Sequence, residues 1–497
     1  MKNVFVLLLL FAVPNISSAP LPQNAQSKLL VFTHVNIIDA TGAPAIPNMT
    51  IVITGNHIAG IGKTGKVRVP RDAHMIDATG KYLIPGLWDM HVHHLVDPTW
   101  GTEVFLPLFI VNGVTGVRDM GGPESGDPEL VFQLRQKIKE GRLLGPHMLA
   151  AGYMLDDAPR PPKGVIRVSN EADGREAVVF VKKAGADFVK VRDLISREAY
   201  FAIADEAKKQ AIPLVGHVPL TIDAIDAADA GQRSIEHDAA ILLACSTEGE
   251  ELRKQTRKDV EALFDGKTTQ ANGFRKFVAQ IKRADDTYND KKAAAVFSHL
   301  VKDGTWVCPT FAVIRAMAYA DDPNLTANPR LKYIPPFTRN FGWNPKLNGR
   351  IKNFTAEDYT AFKSHLDRWL EIVGSMGRAN VRLLAGTDAS PGLGGNAYVF
   401  PGFSLHDELA LFVKAGLSPM EALQTATRNP AEFFGMLDKL GTIEQGKIAD
   451  LVLLDANPLE DIQNTQKINA VVVNGRLLDR KALDGLLAQA EVAAQKQ

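Results

Sequence analysis

The chain has 497 residues, with 56 basic (Lys and Arg) and 56 acidic residues, so its formal net charge is zero. Hydrophobic residues make up 45% and charged residues 23% of the chain, as in ordinary globular proteins. This composition excludes a disordered tail protein and a polybasic nucleic-acid-binding protein, because both require a strong bias in charge or hydropathy. A chain of this length holds roughly two to three domains, or one large barrel with attached elements.

Residues 1–19 are predicted to be a cleaved secretory signal peptide. Lys2 precedes an unbroken apolar run from Val4 to Val13, and residues 17–19 (SSA) are small, as is typical of a cleavage site. The run is too short to span a bilayer as a helix, and no later stretch approaches the roughly 18 apolar residues that a span requires. We therefore expect a secreted or periplasmic protein without stable membrane insertion after signal cleavage.

The two ends of the mature chain share a β pattern. Residues 28–83 contain alternating β-branched residues between turns rich in Asn, Asp, Gly and Pro, which indicates short antiparallel strands. The same pattern returns at 441–480, before a C-terminal tail at 481–497. Because an isolated hairpin is only marginally stable in water, we expect the two segments to form one small β-sandwich domain that joins the termini.

Residues 84–440 show a different pattern, in which short apolar strands alternate with helical stretches, as in βα units with a parallel sheet. Helices are predicted at 128–141, 171–185 and 197–210, and Ser418 and Glu421 fit a capping box. The eight predicted strands are 82–91, 114–118, 147–152, 187–192, 212–217, 234–237, 305–310 and 381–387. Eight such units close into a (β/α)8 TIM barrel, an α/β fold. An open doubly wound sheet is the alternative, because both folds share these local patterns.

Two segments exceed ordinary loop lengths: a charged helical region at 246–292 and a region rich in Pro, Asn and aromatic residues at 321–353. Insertions this long either cover the mouth of an active site or make oligomer contacts, which leaves homo-oligomer formation open. The chain has two cysteines, Cys245 and Cys308, which exclude a disulfide scaffold. They form one disulfide or stay buried as thiols, and the second interpretation is favoured.

Potential metal ligands stand at five of the eight predicted strand ends. His91 and His93 close the first strand, where residues two apart point to the same face. The other strand ends carry Lys190, His217, His237 and Asp388. Each residue alone is equally well a core or loop residue, but the set is hard to obtain by chance, because catalytic groups of such barrels gather at the C-terminal strand ends.

Lys190 has two interpretations, because a buried and unpaired ammonium group is costly. In the first, the side chain reaches solvent at the strand edge or pairs with Asp193. In the second, its amine reacts with CO₂ to give a carbamate, whose two oxygens bridge two cations.

Several motifs are familiar as a set: LIPGLWDMHVH, GVTGVRDMGG, FVK, GH, EH, LLAGTD, HDELALFVKAGLSPMEALQTAT and GTIEQGKIADLVLLDANP. Over about residues 28–480 the chain resembles the amidohydrolase superfamily, and within it the imidazolonepropionase-like and prolidase-like enzymes. The resemblance implies two divalent ions, usually Zn²⁺, and cleavage of amide bonds in dipeptides or N-acyl amino acids by a metal-activated hydroxide. Carried over by position, one ion is held by His91, His93 and Asp388, the other by His217 and His237, with carbamylated Lys190 as the bridge.

The chain departs from the family pattern where substrate side chains would dock. After the third strand it reads GYMLDDAPRPPKGVIRV, without a His, and the fourth strand ends in KVRD. In these segments Tyr153 is a candidate hydrogen-bond donor to the oxyanion, and Arg192 a candidate ligand of a substrate carboxylate. A salt bridge to Asp193 is the alternative for Arg192. His406 either supports the metal ligands without contacting the metal or is a surface residue near the start of a helix.

In the predicted mechanism Asp388 accepts the proton of the attacking water and returns it to the leaving amine. Nucleotide chemistry has no support, because no Walker or GxGxxG loop is present. A lactonase or cyclic-amide hydrolase with the same site is one alternative. Another is an exported metal-dependent binding protein without catalysis, against which the presence of both Lys190 and Asp388 argues. The expected partner is a small molecule, a dipeptide or N-acyl amino acid, and no nucleic acid.

Overall fold

The structure, a computed structural model, describes residues 29–93, 100–122, 127–390 and 395–496; the predicted signal peptide lies outside these ranges. The strands in chain order are β1 (Leu29–Ile37), β2 (Ile46–Thr54), β3 (His57–Lys63), β4 (His74–Asp77), β5 (Tyr82–Pro85), β6 (Leu87–Val92), β7 (Val114–Asp119), β8 (His147–Ala150), β9 (Met154–Asp156), β10 (Val165–Arg167), β11 (Val189–Val191), β12 (Leu214–Gly216), β13 (Ser234–Glu236), β14 (Trp306–Cys308), β15 (Arg382–Leu383), β16 (Leu451–Leu454), β17 (Ile468–Val473) and β18 (Arg476–Leu478).

The α-helices are α1 (Leu106–Val111), α2 (Pro128–Lys139), α3 (Glu171–Ala184), α4 (Arg197–Lys209), α5 (Ala224–Asp229), α6 (Ala239–Cys245), α7 (Gly249–Phe264), α8 (Gln270–Asp286), α9 (Asp290–Asp303), α10 (Phe311–Ala318), α11 (Pro323–Thr326), α12 (Ala356–Arg378), α13 (Phe403–Lys414), α14 (Pro419–Thr425), α15 (Arg428–Phe433) and α16 (Arg480–Gln495). Short helical turns of other types occur at Gly101–Phe105, Pro329–Tyr333, Thr338–Gly342 and Ile462–Gln466.

The two terminal segments share one sheet. Its strand order is β18-β17-β16-β5-β1-β2-β3, with β4 paired to β1. The segments meet where β16 runs antiparallel to β5, with Leu451 opposite Pro85 and Leu454 opposite Tyr82. A separate apolar cluster that includes Phe32, Ile51 and Leu451 is buried on this sheet. The predicted joining of the termini is confirmed, and the sandwich form of the domain stays a prediction.

The remaining strands form two parallel sheets, with orders β6-β7-β8 and β10-β9-β11-β12-β13-β14-β15. Every predicted parallel strand is present, although most are only two or three residues long. Strands β9 and β10 lie in the segment after the third predicted strand, where no strand was predicted, because three-residue strands are too short to show a period of two. Because paired neighbours in both sheets run parallel, their carboxyl ends lie along the same edge of each sheet.

Local sequence signals account for the helix boundaries. The predicted helices are observed as α2, α3 and α4, each within two residues of the expected limits. The capping box before α14 is confirmed: the Ser418 backbone N–H donates to a Glu421 carboxylate oxygen at 2.7 Å, and the Glu421 N–H donates to the Ser418 hydroxyl at 3.3 Å. At α4 the Ser196 hydroxyl alone caps the helix, by accepting from the Ala199 N–H.

The two insertions fold differently. The first, 246–292, forms the helices α7 and α8, whereas the second, 321–353, contains short helical turns. Both cysteines are buried free thiols, as favoured from the sequence. Within the described ranges, none of the helices has the length and apolar character needed to cross a membrane.

Candidate metal centre

The structure brings the predicted ligands together at the carboxyl ends of the parallel strands. The Nε2 atoms of His91 and His93 lie 3.6 and 3.4 Å from Asp388 Oδ1. The His237 ring lies 4.7 Å from the His91 ring and 4.9 Å from the His217 ring, measured between centroids. Ligand atoms of His91, His237 and Asp388 all lie within 4.8 Å of one another. Residues from four separate strands thus converge on one volume.

Each of the four imidazoles is oriented by a hydrogen bond from its Nδ1 atom. The acceptors are Glu236 Oε2 for His91 (2.9 Å), the Gly121 carbonyl for His93 (2.8 Å), Asp193 Oδ1 for His217 (2.7 Å) and Thr310 Oγ1 for His237 (2.8 Å). An Nδ1–H donor leaves the lone pair on Nε2, which is the usual arrangement of a metal-binding histidine. All four rings therefore present Nε2 toward the common volume.

Lys190 lies inside the same cluster. Its side chain is buried, with 1% of the residue exposed, and within the described part of the chain its Nζ atom has no hydrogen-bond partner. Burial lowers the pKa of Lys190 to about 8, against the opposing influence of Glu236. The side chain does not reach solvent, and the described residues contain no ion pair between Lys190 and Asp193, whose Oδ1 accepts from His217.

Asp388 is held by its backbone. Its φ angle of 57° lies in the left-handed region. Its N–H donates to the His91 carbonyl at 2.8 Å, and its carbonyl accepts from Asn396 Nδ2 at 2.8 Å. Although burial favours the neutral acid, His91 and the neighbouring imidazoles hold the pKa of Asp388 well below its ordinary value. This direction favours the carboxylate form, which can bind a cation.

The protonation states of this cluster fit divalent cations. Burial lowers the pKa of His237 to about 4 and also lowers the pKa values of His91 and His217, so these rings are neutral. Neutral imidazoles and a carboxylate are ligands that Zn²⁺ prefers. The buried Nε2 atom of His91, like Lys190 Nζ, has no hydrogen-bond partner among the described residues. Bound cations would give these atoms the partners that the chain does not supply.

The sequence analysis did not predict a buried hydrogen-bond network that includes His91. Arg118, on β7, donates from Nη2 to both carboxylate oxygens of Glu236, at 2.8 and 2.7 Å, and from Nη1 to the Ser234 hydroxyl at 2.9 Å. Glu236 in turn accepts from His91. Arg118 lies in the motif GVTGVRDMGG, and Glu236 forms the EH motif with His237. A search for buried charged residues next to the ligands would have found them.

The three candidate substrate contacts have different positions. Arg192 lines the cavity beside the cluster and also lies 3.7 Å from Asp193, so both interpretations of this residue agree with its position. Tyr153 is not among the described residues that line the cavity; its ring packs against Phe180 at 5.2 Å. The structure therefore gives no support to Tyr153 as an oxyanion donor.

His406 is neither a cavity residue nor a surface residue. It is 1% exposed, on α13, and its ring nitrogens lie 2.9 Å from Thr465 Oγ1 and 3.1 Å from the Asn112 carbonyl. It joins α13 to the end of α1 and to the segment before β17, so its surface interpretation is wrong. Its burial depends on partners that are distant in the sequence, so no local sequence pattern predicts it.

The cluster lies at the floor of a cavity of about 420 Å³. One side of the cavity is formed by segments after β11 and β12, and the other by α6, α7, α8 and α10. A volume of this size is typical of sites for small organic molecules. The first insertion therefore lines the cavity, while the second contributes Arg350 to its wall.

The chain is similar to known hydrolases along most of its length. The family profile described as "Amidohydrolase family" matches residues 82–324 and 348–478. An ochratoxinase of Aspergillus niger is 23% identical over 475 residues, which cover 90% of this chain and 85% of that protein. An imidazolonepropionase of Thermoplasma volcanium is 36% identical over 94 residues, 19% of this chain and 22% of that protein.

Solved structures of a putative prolidase and a Xaa-Pro dipeptidase share the fold. A putative prolidase from Bifidobacterium longum superposes with a TM-score of 0.65 at 22% identity, covering 94% of this chain and 99% of that chain. A Xaa-Pro dipeptidase with bound methionine gives a TM-score of 0.63 at 21% identity, covering 91% and 100%. The match of the family profile extends over most of the sequence. The chain therefore belongs to the amidohydrolase family and is a hydrolase that acts on carbon–nitrogen bonds.

Proposed function

We propose that the protein is a binuclear metal-dependent amidohydrolase that cleaves amide bonds of dipeptides or N-acyl amino acids. The observation that carries the proposal is the buried Lys190 amine, which has no protein acceptor among the described residues and lies among four oriented imidazoles and the Asp388 carboxylate. The similar proteins include a Xaa-Pro dipeptidase and an ochratoxinase, and this likeness supports a small amide substrate.

His91, His93 and Asp388 would hold one divalent ion, and His217 and His237 the other, with zinc as the favoured metal. Carbamylated Lys190 would bridge them. Its formation joins the neutral amine to CO₂ and releases one proton, and the pKa of Lys190, lowered to about 8 by burial, gives a larger neutral fraction than an ordinary lysine has. When bound, such ions lower the pKa of a water molecule and polarise the carbonyl that is attacked.

The side chains of the protein then carry out the proton transfer and orientation. Asp388, half-buried beside the imidazoles that lower its pKa, accepts the proton of the attacking water and delivers it to the nitrogen of the leaving amine. Arg192, on the rim after β11, binds the carboxylate of the leaving amino acid through its guanidinium. Glu236 and Asp193 keep the rings of His91 and His217 in place during the reaction.

We extend the proposal to the architecture and location of the protein. A parallel bridge between Val92 and Ala389 joins the end of β6 to the segment after β15, and the Asp187 N–H donates to the Ala150 carbonyl across the other gap. These contacts support closure of the parallel strands into a TIM barrel over 84–440, beside a β-sandwich of 28–83 and 441–480. We also propose that the signal peptide exports the protein.

A panel of N-acyl amino acids and dipeptides tests the function. We expect the mature protein, loaded with zinc in the presence of bicarbonate, to release free amino acids from members of this panel. Chelation should remove the activity, and zinc with bicarbonate should restore it. A protein that binds zinc but hydrolyses only lactones or cyclic amides, or nothing, would contradict the proposal.

A further inference from the structure

The cavity continues away from the metal cluster along one face of α8. The α8 residues that line it are Gln270, Gly273, Phe274, Phe277, Gln280, Ile281 and Ala284. Their spacing of three, one and three positions places them on one side of a helix. Two of them, Phe274 and Phe277, are phenylalanines that are only partly buried. Ile281 and Ala284 on this face are buried in the core, whereas Phe274 and Phe277, nearer the start of α8, are the partly buried residues that border the cavity.

The walls around this space are apolar as well. The neighbouring helix α7 contributes Val260, Leu263 and Phe264, and Phe264 is 41% exposed. The opposite wall consists of Leu242, Leu243, Val313, Ile314 and Met317, from α6 and α10. A helix of a globular protein normally buries its apolar face against its own core. We name the space between α6, α7, α8 and α10 the apolar arm.

The charged residues of the apolar arm are paired within the protein. Arg253 forms an ion pair with Asp223. Asp259 pairs with Lys276 at 2.8 Å and accepts from Gln280 Nε2 at 2.7 Å. Arg350, whose guanidinium lies 5.8 Å from the Phe274 ring centroid, donates to Asn396 Oδ1. A charged ligand group would compete with these partners, so the arm favours a neutral apolar group.

The order of the strands separates the helices of the apolar arm from Arg192 by two or three strands. That residue follows β11, whereas α6, α7 and α8 follow β13, and α10 follows β14, in a sheet of order β11-β12-β13-β14. His217 of the metal cluster follows β12, the strand between β11 and β13. A substrate whose carboxylate binds Arg192 and whose amide lies at the cluster directs its acyl group into the arm.

We infer that the substrate is an N-acyl amino acid with a large apolar acyl group, which binds in the apolar arm. This inference rests on the proposed function and narrows its substrate class. Short acyl groups leave the faces of Phe274 and Phe277 in contact with water, whereas a long aliphatic or aromatic group covers them. The first insertion thereby determines which acyl groups the enzyme accepts.

The test uses N-acylglycines with chains from acetyl to decanoyl and the zinc-loaded protein with bicarbonate. Because each buried methylene is worth about 0.8 kcal/mol, kcat/KM should rise up to about fourfold per methylene until the arm is filled. Glycine is kept constant so that the leaving group does not change along the series.

Variants locate the effect in the arm. In Phe274→Ala/Phe277→Ala the ratio of kcat/KM for decanoyl to that for acetyl substrate should fall at least about tenfold, since buried aromatic contacts are lost. The control is Phe341→Ala, the same substitution at a side chain that is 52% exposed and outside the described cavity wall, and it should leave the ratio unchanged.

Two different failures separate the inference from the proposed function. If acetylglycine is hydrolysed as efficiently as decanoylglycine, the apolar arm is not an acyl site, although the enzyme remains an amidohydrolase. If the series and the wider panel of N-acyl amino acids and dipeptides are both inert, the proposed function fails. In that case, or if only the glycine series is inert, calorimetric titration of the zinc-loaded protein with the same series tests the arm. Tighter binding with each methylene, abolished in the double variant, supports it; equal binding along the series overturns it.

Discussion

Arg118 and Lys190 are both buried cations on the parallel strands, but their surroundings differ. Arg118 is fully buried and donates to the Glu236 carboxylate, the Ser234 hydroxyl and the Met90 carbonyl. Lys190 is equally buried, and its Nζ has no acceptor in the described part of the structure. The charge of Arg118 is compensated within the chain, whereas Lys190 must lose its charge or gain a partner from outside. Arg118 therefore supports the site, and Lys190 takes part in it.

The largest expected effect is that of Lys190→Ala. Loss of the proposed bridge should lower kcat/KM on the order of a thousandfold and reduce the zinc content from two ions per chain to about one. Propionate should partly restore both quantities, because its two oxygens can occupy the vacated space, and Lys190→Glu should do so in cis. A Lys190→Ala protein with two ions and near-normal turnover would show that the lysine is only structural.

The next largest effect is expected for Arg118, whose charge is compensated within the chain. Arg118→Leu leaves the Glu236 carboxylate buried without its ion pair, and we expect a loss of about 3–5 kcal/mol in the free energy of unfolding. In the double variant Arg118→Leu/Glu236→Gln no buried charge is left unpaired, so most of this loss should be recovered. Thermal and urea unfolding measure both variants. If the double variant is as unstable as the single one, charge compensation is not the reason for the effect.

A third buried cation, His365 on α12, is compensated but can titrate. Its Nε2 lies 2.7 Å from Asp238 and its Nδ1 lies 3.0 Å from Asp285 on α8. Although burial opposes protonation, the hydrogen bonds to Asp238 and Asp285 raise the pKa of His365 to about 9. The charged ring thus links α8, which forms part of the cavity wall, to Asp238, which follows β13.

Because the folded pKa of His365 is raised, its contribution is complete below the unfolded pKa and is lost as the pH rises toward about 9. We expect roughly 2–3 kcal/mol of stability to disappear between about pH 6.5 and 9. His365→Gln should be less stable at pH 6 and should lose less over this range. Melting temperatures of the two proteins at matched pH provide the measurement, and parallel curves would contradict the assignment.

The smallest effect is expected at Lys447, a lysine of the terminal β-domain that is 7% exposed. Its Nζ donates to Glu444 at 2.8 Å and to the Thr442 hydroxyl. Because the Glu444 side chain is 53% exposed, the pair is screened, and Lys447→Met should cost about 1 kcal/mol or less. Zinc content and kcat/KM should stay at wild-type values. Loss of metal in this variant would mean that any buried lysine affects the site, and not Lys190 in particular.

The sequence predicted those features that depend on local pattern. Short apolar runs ending in His, Lys or Asp predicted β6, β11, β12 and β13 and the position of the cluster, because a parallel strand places its last residue at the shared edge. The Arg118–Glu236 pair was not predicted, since its partners lie 118 residues apart and leave no periodic signal. The same holds for Thr310 behind His237, 73 residues away.

The direction of side chains in irregular segments could not be predicted from the local sequence either. Tyr153 follows a strand, as a catalytic residue often does, but it packs on Phe180 of α3. The sequence identified α8 only as part of a charged helical insertion. The role of its apolar face could not be predicted, because that role depends on the cavity that the face borders.

The state of Lys190 is tested most directly by ¹³C NMR on zinc-loaded protein prepared with ¹³C-bicarbonate, together with elemental analysis of the same sample. The account predicts one carbamate carbon resonance and two zinc ions per chain in the wild type, and no such resonance in Lys190→Ala. Two zinc ions and full activity without a carbamate resonance would contradict the central claim that this buried amine becomes the bridge between the metals.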